Sequence, residues 1–322
     1  MTGFFGGGGG IGLEVGQRSL RAASVKRAGS GGRLNWAAEV GLAPGLILNS
    51  FMEPNIKDVP AFVDALSKLF QTSGKSGRQV SVTLPDYVSR VSILEFDEMQ
   101  GKKDETEQMI KWRLKKMLPF DVELAAVKYQ YLGKFPGREK DQHRFLVSIV
   151  KSEILEQYEA AFKEAGLRTR RIGISSFSTW NLFNDNVLGE AGEAGSFALM
   201  NLSGGKLTVM VFDRGVPHFL RLKDLGSPEG DDGPGVDVNR VLKELSASVT
   251  FYKENYSETQ VERVYVTGDS EAVKEVVEEA GRSTTMKASL LDPEKVVDKG
   301  SALPQGASFF AYCAACGAAT EA

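Results

Sequence analysis

Cysteine and histidine are almost missing from this 322-residue chain, which holds two of each: Cys313 and Cys316, His143 and His218. Two thiols exclude a disulfide framework, and one Cys-x-x-Cys pair without a second leaves a structural zinc short of ligands. Cys313-Ala314-Ala315-Cys316 stands in an apolar, Ala-rich stretch and reads as buried small side chains in a reducing compartment. The histidines are distant in sequence and lack carboxylates at ligand spacing, which argues against histidine catalysis. No Ser/His/Asp pattern, Walker lysine loop or Gly-x-Gly-x-x-Gly after a strand is present. The glycine run Gly6 to Gly10 precedes the first strand instead of following it, and residues 1–10 read as a flexible lead.

Long apolar runs are lacking too. None approaches the roughly 20 residues that span a bilayer, and Met1 to Phe5 has neither the basic nor the apolar region of a signal peptide. The expectation is a cytoplasmic protein without direct membrane insertion. Thirty-nine basic against 42 acidic residues, a net charge of −3, provide no broad electrostatic footprint for nucleic acid, and no such partner is expected. A hydrophobic share of 42% and a charged share of 25% are those of a globular protein, and the length allows two cores.

Against these absences stands a duplication. Ile11 to Val25 and Phe197 to Val211, about 190 residues apart, each run as an apolar strand, a Gly-bearing turn and an alternating second strand. Turns of this kind can aim backbone N–H groups at phosphates. Third strands follow at Leu34–Val40 and His218–Leu225. Helices are predicted over Val59–Phe70, from Lys103 to Leu118, over Ser152–Ala165 with Ser152 as a capped start, around Phe177–Phe183, and over Val236–Asn255 and Ser270–Ala280. A short helix over Ala307–Ala319 ends the pattern. Strands are predicted over Gln79–Leu84, Val88–Phe96, Ala125–Leu132, Arg144–Val150, Thr169–Ile174 and Val261–Thr267, with Pro85-Asp86 as a turn. Gly189 to Gly195 reads as a linker, and Gly226 to Gly235 as a loop.

The order of these elements resembles the type IV pilus assembly protein PilM family of the actin-like ATPase superfamily, related to FtsA. The resemblance rests on Gly12-Leu13-Glu14-Val15-Gly16 with Ser19-Leu20-Arg21, on Met117-Leu118-Pro119-Phe120, on Tyr129 to Gly133, on Tyr158 to Leu167, on Phe219-Leu220-Arg221, and on Val264 to Gly268. It implies an α/β, actin-like (ribonuclease H-like) fold of two lobes. Lobe one would cover 11–188, with a small α/β subdomain inserted at about 78–174, and a reduced lobe two would cover 189–322. It also implies ATP and Mg²⁺ between the lobes and no other cofactor. The implied role is a scaffold of the inner-membrane pilus platform, recruited to the membrane by the short cytoplasmic N-terminal peptide of a PilN-like protein and touching other platform components.

On that resemblance the candidate nucleotide residues are Gly12, Glu14, Gly16, Gln17, Ser19 and Arg21 in the first hairpin, Asn201, Ser203, Gly204 and Gly205 in the second, and Gly268 on the adenosine side. Glu14 stands where the family has Asp and would hold Mg²⁺ through water; its competing reading is a strand-end carboxylate capping a turn. Arg21 replaces a family Lys. In the second hairpin Asp-hydrophobic-Gly becomes Asn201-Leu202-Ser203, so the carboxylate is an amide, which cannot act as a base for water. Asn201 therefore reads as structural first. Asp269 replaces a glycine and brings a negative charge towards the expected nucleotide. Nucleotide binding is expected to be weakened or lost, and no catalytic residue is assigned. An active ATPase or small-molecule kinase of the superfamily, and a cytoplasmic component of a type II secretion platform, remain the alternatives. Arg221 reads as an exposed strand residue or as part of an ion pair between subdomains.

Overall fold

The computed structural model describes residues 10–28, 31–71, 79–99, 101–135, 141–192, 195–226, 236–256 and 260–321. Alternating strands around short turns produce an antiparallel meander of β1 (Gly10–Val15), β2 (Ser19–Ala28) and β3 (Gly31–Gly41). Helix α1 (Val59–Gln71), whose Phe62, Leu66 and Leu69 fall on one buried face, carries the chain over to β4 (Gln79–Leu84), parallel to β1.

The chain then leaves this sheet for β5 (Arg90–Phe96), α2 (Lys103–Lys115), β6 (Ala125–Phe135) and β7 (Gln142–Lys151). It returns through α3 (Ser152–Glu164) to β8 (Arg168–Ile174), parallel to β4. The excursion builds its own sheet in the order β5-β7-β6, with α2 burying Ile110 and Leu114 against Phe145, Val147 and Ile149. Within the stretch 78–174, β4 and β8 are thus strands of the main sheet, because each hydrogen-bonds into it. Ser152 does not cap α3: Lys151 holds the cap position and no side chain bonds there.

Helix α4 (Ser175–Ala191) includes the first part of the expected linker, and Gly192, with φ of 75°, ends it. The second half repeats the first through β9 (Ser196–Ser203), β10 (Lys206–Asp213), β11 (Val216–Asp224), α5 (Val238–Asn255), β12 (Arg263–Gly268), α6 (Val273–Ser283) and β13 (Lys287–Leu290). With a short last strand β14 (Val297–Asp298), the sheets run β14-β3-β2-β1-β4-β8 and β11-β10-β9-β12-β13, each an antiparallel meander continued by parallel strands on the side of its first strand. The lead at 1–9 and most of the loop at 226–235 lie outside the described residues.

Helices α1 and α3 cover the outer face of the first sheet and α5 and α6 that of the second. Between the sheets lies a third core that takes residues from β2, β3, α4, β9, β10 and the end of the chain. That end does not stay with the second half. β14 (Val297–Asp298) pairs with β3, and α7 (Cys313–Thr320), preceded by a 3₁₀ turn at Phe309–Tyr312, packs on β1, β2, β4 and α4. Residues 297–320 of the segment expected as lobe two therefore complete lobe one. Small side chains permit the approach. A Cβ at Gly12 would stand 1.9 Å from the Ala315 carbonyl oxygen, and one at Gly317 would stand 1.8 Å from that of Ser178.

The inserted subdomain also reaches the second lobe. Buried Arg144 of β7 donates through Nε to Glu95 of β5 at 2.7 Å, and its Nη1 lies 2.9 Å from His218 Nδ1 of β11. Phe135 stands edge-on to the His218 ring at 4.8 Å and beneath the guanidinium. Burial and the Arg144 charge push the His218 pKa down to about 4, so the ring is neutral at pH 7. Arg221 pairs with Glu244 of α5 at 3.7 Å, an ion pair inside lobe two and not between subdomains.

Candidate nucleotide cleft

The two hairpins face each other across a cleft of about 830 Å³. Glu14, Gly16, Gln17, Ser19 and Arg21 line it from lobe one, and Asn201, Ser203, Gly204 and Gly205 from lobe two. Gly12 and Gly268 do not. Gly12 is held by α7, and a Cβ on Gly268, whose φ is +141°, would fall 1.9 Å from the Leu202 carbonyl oxygen where β12 closes on β9. The second turn keeps its shape despite Ser203: Gly204 and Gly205 both have positive φ, 57° and 73°, the conformation a two-residue hairpin needs.

Strand register builds the site. Glu14 of β1 pairs across β2 with Arg21, which pairs across β3 with Glu39, while Thr83 of β4 flanks Glu14 on its other side. In the second lobe Asn201 of β9 takes the place of Glu14, between Thr208 of β10 and Thr267 of β12. The duplication thus extends to single positions.

Glu14 is buried, and the loss of water raises its pKa to about 7 although Arg21 opposes the shift. Its Oε2 is 3.9 Å from Arg21 Nη1 and accepts no hydrogen bond. An orphaned carboxylate oxygen beside a cleft fits a water-mediated hold on Mg²⁺. No cluster of three or more His, Cys, Asp or Glu suited to direct metal ligation occurs among the described residues.

The phosphate side is different. Arg21 donates through Nε to Glu39 at 2.9 Å, and its Nη1 stands 3.5 Å from Asp269 Oδ2. The other oxygen of Asp269 accepts from the Gly204 N–H at 3.2 Å. Lys206 is bound to Asp224 and sits 4.6 Å from the centre of the Tyr87 ring. A backbone donor and a guanidinium that a phosphate would use are therefore engaged by one carboxylate of the chain itself. Five carboxylates and three cations line the cleft, and Glu14, with its pKa raised to about 7, is only partly ionised at neutral pH.

A second carboxylate, which the sequence reading treated only as a turn signal, crosses the cleft in the opposite direction. Asp86, following β4, accepts from Ser176 N at 2.9 Å, from the Ser176 hydroxyl, and from Thr208 Oγ1 of lobe two at 2.6 Å. Burial raises its pKa and these donors oppose the rise. Asn201 Nδ2 donates to Ser176 Oγ at 3.0 Å and joins the same network, so the amide bonds the floor of the cleft. Superposing the halves in sequence marks the pair: Asp86 comes three residues after Thr83, and Asp269 two after Thr267.

The thiols lie elsewhere. Cys313 and Cys316 are buried in α7, and the apolar surroundings raise both pKa values well above the ordinary thiol range.

Two sheets of the same topology, a helix pair between them and opposed hairpins across a cleft define an actin-like ATPase fold with a small α/β insertion. Residues 12–230 match the family model described as type IV pilus assembly protein PilM, and the chain belongs to that family. A solved structure described as the PilM-PilN type IV pilus biogenesis complex aligns at a TM-score of 0.78 with 16% identity, covering 97% of this chain and 98% of that one. The cytoplasmic domain of EpsL, an inner-membrane component of the type II secretion system of Vibrio cholerae, aligns at 0.51 with 12% identity over 97% and 94% of the two chains. Among curated proteins no sequence matches. No helix among the described residues is long and apolar enough to cross a membrane.

Proposed function

We propose that the chain is a cytoplasmic scaffold of the type IV pilus inner-membrane platform, recruited there by a short peptide of a PilN-like membrane protein, and that its nucleotide cleft is weakened by its own carboxylates. Family membership and the likeness to a PilM-PilN complex support the partner class.

The observation that carries the peptide reading is an apolar seam between lobe one and the inserted subdomain. Phe51, on the loop after β3, packs with its ring tilted at 44° against Phe120 beyond α2, centroids 5.4 Å apart, with the Arg90 guanidinium 5.5 Å from the Phe51 ring centre. Met52 and Met117 are exposed at 41% and 38%, and Leu124 at 54%. Apolar side chains of an extended peptide would bury against these residues, and Arg90 and Lys151 border the seam with charge.

Titrating a fluorescently labelled N-terminal cytoplasmic peptide of the PilN-like protein tests it. Saturable binding is expected, weakened at least about tenfold by Met117→Asp, since a charge replaces an apolar contact. Absence of binding to the unaltered chain overturns the peptide reading. For the cleft, millimolar Mg·ATP is expected to leave the melting temperature of the unaltered chain nearly unchanged and to raise that of Asp269→Gly, because a ligand stabilises the folded state it binds. A shift of several degrees in the unaltered chain, or turnover sensitive to Glu14→Gln, would favour the ATPase reading instead.

A further inference from the structure

Trp112, near the end of α2, is 61% exposed, more than any other large hydrophobic among the described residues. Arg113, Lys115 and Lys116 surround it, all exposed and none in an ion pair among the described residues, and Lys116 Nζ lies 4.3 Å from the centre of the indole ring. The acids of the region are placed or committed elsewhere. Glu105 pairs with Lys102 at 3.6 Å, Glu107 and Glu123 share Lys111 at 3.6 and 3.5 Å, and the Asp121 carboxylate accepts from the Glu123 N–H at 3.1 Å. Asp104 sits in the first turn of α2, about 12–18 Å along the axis from the last at 1.5 Å per residue, beyond the roughly 8 Å over which salt leaves exposed charges in contact.

The helix is therefore polarised, with an acidic start and a free cationic end built around an exposed indole. On a chain of net charge −3 this is a local feature, not the field of the whole molecule. An indole takes up the headgroup level of a bilayer because its ring is apolar and its N–H polar, and exposed Lys and Arg are drawn to anionic lipid phosphates.

We propose that Trp112, Arg113, Lys115 and Lys116 form a peripheral docking face for an anionic phospholipid bilayer, with the indole at headgroup depth and the three cations on lipid phosphates. Lys116 and Met117 are consecutive, so the face adjoins the apolar seam and would turn that seam towards the membrane. Binding is reversible and salt-sensitive, and it does not depend on the peptide.

Co-sedimentation of the full chain with phosphatidylcholine vesicles, with and without phosphatidylglycerol, tests this. The chain is expected to sediment with the anionic vesicles only, and to be released by salt. Of its three tryptophans Trp36 and Trp180 are partly buried, so a blue shift of emission on anionic vesicles would report Trp112 and disappear in Trp112→Phe. Lys115→Glu with Lys116→Glu should weaken vesicle binding at least about tenfold, each cation near an anionic surface being worth roughly fivefold. The same variant should bind the labelled peptide unchanged, which shows that it folds and separates this proposal from the peptide reading. No sedimentation with anionic vesicles at low salt, equal sedimentation with neutral ones, or indifference to the charge reversal overturns the proposal. It is equally overturned if the reversed variant loses a pilus protein while neither form binds vesicles, which would make the face an acidic-protein site.

Discussion

Asp86 of lobe one and Asp269 of lobe two cross the cleft in opposite directions, each to the strand position that pairs with its target lobe's signature residue. Asp86 reaches Thr208, the partner of Asn201, and Asp269 reaches Arg21, the partner of Glu14. The two contacts are not equal in strength. Both carboxylates are half-buried, but Asp86 accepts three hydrogen bonds of 2.9 Å or less, whereas the two contacts of Asp269 are longer, at 3.2 and 3.5 Å. Asp86→Ala is expected to cost about 2–4 kcal/mol, because Ser176 and Thr208 lose their acceptor inside the protein. Asp269→Ala should cost under about 1 kcal/mol, as water replaces the lost partner. Urea unfolding of the two variants measures the asymmetry.

Glu14 ionises near 4.5 in an unfolded chain but near 7 in the fold. The ionised form therefore favours the unfolded chain. Its contribution to stability is complete below about pH 4.5 and is lost as pH rises through about 7. Glu14→Gln should raise stability by about 1–2 kcal/mol at pH 8, less than the full shift implies because Arg21 gives up one of three carboxylates, and the gain should vanish at pH 4. Melting temperatures across that range check both sign and window.

His218 has the opposite sign. Its folded pKa of about 4 lies below the ordinary 6.5, so stability present above pH 6.5 is lost as pH falls towards 4. Between pH 4.5 and 6.5 the two groups oppose each other, and Glu14→Gln should steepen the loss of stability on acidification in that range. A pH series on the variant that stays as flat as the parent would count against the buried, neutral state of His218.

Gly12→Ala tests whether that glycine serves packing or nucleotide. With its Cβ 1.9 Å from a backbone oxygen, α7 must move, and a loss of about 3 kcal/mol or more is expected, independent of Mg·ATP. Chemical denaturation with and without nucleotide separates the two roles.

Cys313 and Cys316 should resist a thiol reagent in the native chain and react fully in denaturant, since burial both hides the sulfurs and suppresses thiolate. Rapid labelling under native conditions would mean that α7 detaches readily.

Elements with a strong period were readable from residues alone. The doubled hairpin, the amphipathic α1 and the acid-to-base polarity of α2 all announce themselves through side-chain spacing, and the structure has each of them. At the end of the chain the short helix was readable, over Ala307–Ala319 against the observed Cys313–Thr320, but its place on the first sheet was not. Residues 313–319 are Cys, Ala and Gly without an apolar stripe, because α7 is covered on both sides, by sheet one and by α4, and a helix enclosed in that way has no polar face to mark it. Asp86 was hidden for another reason. Pro85-Asp86 is a common turn pair, and only the tertiary meeting of Ser176 and Thr208 turns its carboxylate into a link between lobes. Nine of the eleven candidate nucleotide residues line the cleft, since hairpin turns place their neighbours locally; Gly12 and Gly268 instead relieve close backbone approaches that no local pattern shows.

The return of β14 and α7 to the first sheet has a consequence for synthesis on the ribosome. Strands β9 to β13 lie within residues 196–290, and their sheet can close as soon as that stretch has emerged. The sheet begun by β1 cannot: its edge strand and one of its covering helices come from residues 297–320. The lobe translated first is thus the lobe finished last, and until then β1 and β2 expose to the nascent-chain environment the surface that α7 will cover.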